Sequence, residues 1–151
     1  MKKRTKITLW SILFVIVFTV SAFIRVNMLG SAPMKLMQVK WDDTVGTIYN
    51  DLNYENDYGH KYDLYVPANL DIENAQQLIL FIHGGSFNSG AKEDGEVWCK
   101  YYASKGYIAA SLDYSLQTVQ EDASLVRMNT EIKECVNAIN EKCKELGYTL
   151  D

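Results

Sequence analysis

Cysteine is scarce in this chain and its count is odd: Cys99, Cys135 and Cys143. An odd count in an exported domain argues against a disulfide framework. Cys135 and Cys143 stand about 12 Å apart along a helix, too far to bridge. No Cys-x-x-Cys pair exists, so no zinc site is expected. The thiols read as small buried hydrophobes. Basic residues are also short, 15 against 19 acidic ones, for a net charge of −4. Without a basic stripe or arginine-rich run, no nucleic-acid partner is expected. Histidine occurs only at His60 and His83. There is no internal repeat, low-complexity tract or G-x-G-x-x-G fingerprint, and no cofactor is expected. With 151 residues, 48 % hydrophobic and 23 % charged, the composition is that of one globular domain at most.

What is present begins with an uncharged run, Ile7 to Ile24. As a helix it would span about 27 Å, close to the hydrocarbon thickness of a bilayer. Only Thr8, Ser11, Thr19 and Ser21 interrupt its apolar character. The run exceeds a usual signal-peptide core, so an uncleaved anchor is expected. The competing reading takes Val20-Ser21-Ala22 as a small-residue cleavage site. Lys2, Lys3, Arg4 and Lys6 precede the run, and Arg25, Lys35 and Lys40 follow it more sparsely. That bias places the N-terminus in the cytoplasm and the remainder outside. The expected division is an anchor over 1–25, a juxtamembrane linker over 26–46, and a folded part over 47–151.

Within the folded part, Thr47–Tyr54 and Lys61–Val66 read as strands. Tyr62, Leu64 and Val66 fall on one face of the second, Asp63 and Tyr65 on the other. "ENDYGH" between them is turn chemistry, with Gly59 at positive φ, so the pair forms an antiparallel hairpin. Pro67 ends the second strand. Gln77–His83 is a third strand, apolar on both faces, as suits the middle of a covered sheet. Glu93–Lys105 is a helix stopped by Gly106, and Tyr107–Tyr114 is a fourth strand reached by a parallel crossover. The last helix carries a stripe of Leu125, Met128, Ile132, Cys135, Ile139, Cys143 and Leu146. Asp122 or Ser124 caps its start and Gly147 closes it. A fifth strand would begin at "GYTLD".

The third strand runs into "HGGS", His83 to Ser86. Four chemistries compete for such a loop. A phosphate cradle needs G-x-x-x-x-G-K-[ST], but Ala91 follows Gly90 and Lys92 comes one place late. A nucleophile turn needs G-x-S-x-G, and Asn88 stands at the last glycine's position. A plain loop remains open. An oxyanion hole fits best: glycines allow close approach, and backbone N–H groups stabilise the negative oxygen of acyl transfer. His83 can hold the loop through its ring nitrogens. His60 reads as a turn residue, and Asp113 and Tyr114 as strand-end packing. Trp98 and Tyr101 read as helix packing.

"YDLYVP" at Tyr62–Pro67, "HGGS" at His83–Ser86, "KGYIAASLDYSL" at Lys105–Leu116 and the long "EIKECVNAINEKCKELGY" helix occur in this order. In this order they resemble the opening half of the α/β-hydrolase esterases and lipases of the hormone-sensitive-lipase type, over Thr47 to Asp151. Ser86 stands where that family has a third glycine, which suits its carboxylesterases with shorter cap regions. Ser115 stands where it has an arginine, whose packing role is lost.

The resemblance implies an α/β fold: the N-terminal half of a hydrolase sheet, a β-hairpin then β-α-β-α, behind one transmembrane helix. It implies a serine carboxylic ester hydrolase acting on a small acyl ester. His83, Gly84, Gly85 and Ser86 would form its oxyanion-hole loop. The family's Ser, Asp and His follow the long helix in that order, and neither histidine here does. The expectation is an N-terminal fragment of such an enzyme, inactive alone, with its third strand an open edge where the family places the fifth. The alternatives are a non-catalytic membrane-tethered interaction module and a serine peptidase.

Overall fold

The computed structural model describes residues 3–29, 36–71 and 73–151. Lys2, Lys35 and the 30–35 part of the expected linker lie outside the described residues. The chain divides into two compact units, Met1–Met37 and Gln38–Asp151.

The first unit is helix α1, Lys3–Leu29. Its window Thr8–Arg25 is long and apolar enough to cross a membrane, and none of that window is buried within the chain. Thr19 Oγ1 donates to the carbonyls of Val15 and Ile16 at 2.9 and 3.0 Å. The helix thereby satisfies this hydroxyl internally, as an apolar medium requires.

The second unit is a four-stranded mixed sheet between helices. Its strands are β1 (Gly46–Asn53), β2 (Lys61–Pro67), β3 (Leu78–Ile82) and β4 (Ile108–Leu112). The order is β1-β2-β4-β3. β1 and β4 flank β2 antiparallel, and β3 runs parallel to β4. Period two sorts the side chains of β2 as the sequence predicts. Tyr62, Leu64 and Val66 join Leu112 in a core with Cys135, Ile139 and Cys143 of helix α3, Leu125–Glu145. Tyr65 and Ala109, on the opposite face, pack with Cys99 and Ala103 of helix α2, Glu96–Ala103. All three cysteines are free and buried, and burial raises their thiol pKa values to about 12, 12 and 11 in chain order.

β3 lies at the edge of the described sheet, the open edge expected for the third strand rather than the middle position that its apolar run suits, and Ile82 is 46 % exposed. Just before β3, Gln76 forms an isolated parallel bridge with Leu150. It is closed by Gln76 N–H to Thr149 O at 2.7 Å and Asp151 N–H to Gln76 O at 2.9 Å, where the sequence places the start of a fifth strand. The helix expected from Glu93 begins as a 3-10 turn, Lys92–Gly95, before α2 proper. Gly95 is pressed against Phe81 and Ser111, where a Cβ would lie 2.6 and 2.8 Å from their atoms. Leu125, the first residue of the predicted stripe, is 62 % exposed, and the buried part of the stripe begins at Met128. Ser124, not Asp122, caps α3, its Oγ accepting from Arg127 N–H at 3.2 Å.

Candidate active site

The "HGGS" loop leaves the carboxyl end of β3, the side of a parallel sheet where ligands collect. His83 is 3 % exposed. Its Nδ1 lies 2.9 Å from Gly84 O. A carbonyl only accepts, so Nδ1 carries the proton and ties the ring to its own loop. Nε2 is buried without a partner among the described residues. Gly90 folds back over this pair at φ +112, where a Cβ would come within 2.2 Å of Nδ1 and 2.6 Å of Gly84 O. Only glycine fits there.

Beyond Gly84 the backbone takes three successive positive φ values: Gly85 at 111°, Ser86 at 54° and Phe87 at 64°. For residues bearing side chains such backbone costs about 1–3 kcal/mol each and persists only where its surroundings enforce it. The enforcement is visible. Asn88 N–H donates to Gly85 O at 3.0 Å, and a Cβ on Gly85 would strike Ser89 O at 2.0 Å. From the segment after β4, Gln117 N–H donates to Phe87 O at 2.9 Å and Thr118 Oγ1 to Asn88 O at 2.6 Å. At the loop's other end the Tyr114 hydroxyl donates to His83 O at 2.7 Å. Burial raises the Tyr114 pKa, so that hydroxyl stays a donor. Between these anchors Gly84, Gly85 and Ser86 are exposed. The N–H groups of Gly85 and Ser86 meet no acceptor among the described residues. A pair of free amide donors on a held loop can receive a negatively charged oxygen.

The structure does not bring His60 to this loop. Its Nε2 lies 3.3 Å from Ser115 Oγ. Ser115 Oγ donates to Glu131 Oε1 at 2.6 Å, and Ser115 N–H to Glu131 Oε2 at 2.7 Å. Histidine, serine and carboxylate therefore meet, but the carboxylate holds the serine rather than the histidine. Ser115 is fully buried, so it is no nucleophile. Trp98 and Tyr101 are half-buried on α2.

Sequence reasoning missed two buried polar clusters. Lys92, 6 % exposed, places Nζ 3.0 Å from both oxygens of buried Asp63 and 3.2 and 3.0 Å from Asp51 and Glu93. Burial is the largest influence on this ammonium and pulls its pKa down. The hydrogen bonds to Asp63, Glu93 and Asp51 outweigh it, and the pKa lies above the ordinary lysine value. Lys92 N–H also donates to Asp113 Oδ1 at 2.8 Å, fixing the chain just after the loop to the end of β4. The second cluster is Glu131, which has the phase of the apolar stripe between Met128 and Cys135. A charge in that phase was its only sequence signal. Among the described residues no group of His, Cys, Asp and Glu has a metal-holding arrangement.

The fold has counterparts among known proteins. Esterase B from Lactobacillus rhamnosis, solved with a tributyrin phosphonate inhibitor, matches with a TM-score of 0.60 at 18 % identity, over 91 % of this chain and 42 % of that one. The thermophilic esterase of the Planctomycetes species Thermogutta terrifontis matches with a TM-score of 0.55 at 21 % identity, over 69 % of this chain and 36 % of that one. The chain thus spans about two fifths of the length of the esterases whose fold it shares. No curated protein sequence matches it. The sequence signature of the BD-FAE family covers residues 62–151, more than half the chain, with β3, β4, all of β2 but Lys61 and the "HGGS" loop inside it; the chain belongs to this α/β-hydrolase family.

Proposed function

We propose that these residues supply the oxyanion-binding part of a membrane-anchored carboxylic ester hydrolase. The observation that carries this reading is the pair of exposed, unpartnered N–H groups at Gly85 and Ser86 on a loop held at both ends. In the reaction a serine oxygen attacks the acyl carbon, and the carbonyl oxygen takes up the negative charge. The two N–H groups hold that oxygen until the alcohol leaves and water releases the acid. His83 and Gly84 set the loop's path. The serine, acid and base come from outside these 151 residues, since His83 is bound to its own loop and His60 to Ser115. By themselves the 151 residues are inactive.

The esterase names of the matched structures support ester over peptide hydrolysis. Residues 1–25 serve as the anchor, 26–46 as the linker and 47–151 as part of the hydrolase domain. The apolar window of α1 supports insertion, and Lys3, Arg4 and Lys6 before it support a cytoplasmic N-terminus. The test is hydrolysis of p-nitrophenyl acetate by membranes carrying the complete gene product. Activity abolished by a covalent phosphonate is the expected result. Complete gene product in the membrane without any hydrolysis would overturn the reading.

A further inference from the structure

We propose that Tyr114 and Thr118 are positioning residues that order the Gly85 and Ser86 amides for their work. The proposal rests on the esterase reading above for its purpose, but on independent contacts for its substance. The left-handed path over Gly85, Ser86 and Phe87 is not one that Ser86 and Phe87 adopt unaided. Something outside the loop must hold it, and the segment after β4 makes the needed contacts.

At the entry, Tyr114 grips His83 twice. The two rings stack with centroids 4.2 Å apart and planes 9° from parallel, and the tyrosine hydroxyl donates to the carbonyl of the same histidine at 2.7 Å. Tyr114 is 4 % exposed, so neither contact competes with water. At the exit, Thr118 Oγ1 takes Asn88 O at 2.6 Å, next to the Gln117 N–H bond to Phe87 O. Thr118 is itself exposed, and its methyl group fills no core, so the fold has little need of its hydroxyl. Both grips come from one short segment, so the loop's two ends are referenced to the end of β4. Preorganisation of this kind lets amide donors meet developing charge without rearranging.

The test uses the full 151-residue chain in detergent micelles and 15N relaxation at the Gly85 and Ser86 amides. In the unaltered chain both should have order parameters near the rigid-backbone value of about 0.85. Thr118→Val, which keeps size and removes the hydroxyl, should drop them below about 0.6 while Ile108–Leu112 stays rigid. Thr118→Ser should restore them. Tyr114→Phe, which keeps the stack and removes the donor, should loosen the same two amides. A purely structural role would instead lower melting temperature without singling out Gly85 and Ser86. Order parameters at these amides unchanged in both Thr118→Val and Tyr114→Phe would overturn the proposal. Should the complete gene product hydrolyse no ester, the esterase reading fails alone, because these order parameters do not depend on turnover.

Discussion

Lys92 Nζ lies 3.0 Å from each carboxylate oxygen of Asp63, across 29 residues of sequence and inside the fold. The pair links β2 to the segment after the candidate loop. Asp51 N–H, at the positive-φ bulge residue, donates to Asp63 Oδ1 at 2.9 Å. Breaking a buried pair from one side strands the other charge and costs about 3–5 kcal/mol. Lys92→Met should therefore destabilise the chain strongly, and Lys92→Met with Asp63→Leu should recover much of the loss. Denaturant unfolding of the three proteins checks this; a double variant no more stable than the single would contradict it.

Burial raises the pKa of each cysteine thiol to about 11 or 12, and none is bridged. At pH 8 all three should resist maleimide in the folded chain and react together in denaturant. Mass spectrometry before and after unfolding reads the count. Rapid labelling of Cys135 in the folded state would show that α3 does not cover the sheet as described.

Gly90→Ala should disrupt the loop out of proportion to one methyl group. The new Cβ would meet the His83 ring and the Gly84 carbonyl, at a φ that alanine disfavours. The His83 Nδ1–H to Gly84 bond should open, visible as loss of the slowly exchanging imidazole proton by NMR. Gly106→Ala, where a Cβ meets nothing within 4 Å, should cost only the backbone strain and leave that proton in place.

Arg127 bridges Asp57 and Asp122 at 2.7 and 2.5 Å. The Tyr58 hydroxyl, then the guanidinium, holds the Asp122 carboxyl below its ordinary range. A depressed folded pKa stabilises above the unfolded value and loses that contribution as pH falls through the folded one. The Asp122 carboxyl carbon should titrate below the usual aspartate midpoint. Tyr58→Phe should move the midpoint upward, and high salt should weaken the Arg127 share. A midpoint at or above the usual value would contradict the contact.

Much of this architecture is legible in the sequence, for local reasons. Alternation places Tyr62, Leu64 and Val66 against α3 and Tyr65 against α2. Gly59, Gly106 and Gly147 take the positive φ that their turns need, and Ser124 caps α3. What stays hidden depends on distant pairs. The grip of Tyr114 on His83 joins residues 31 apart and exists only because β4 lies beside β3. The Lys92–Asp63 pair needs β2 and the 3-10 turn to meet. The place of β3 at the edge is legible only through the family resemblance, since its own apolar run does not encode its neighbours.

The central claim is that Gly85 and Ser86 present N–H groups to a negatively charged oxygen. A crystal structure of the complete gene product, with its serine bound to a phosphonate that mimics the tetrahedral intermediate, tests it most directly. The account predicts a phosphonyl oxygen within about 2.7–3.1 Å of both nitrogens. A phosphonate whose oxygens lie against other donors, with Gly85 and Ser86 facing solvent, would contradict it.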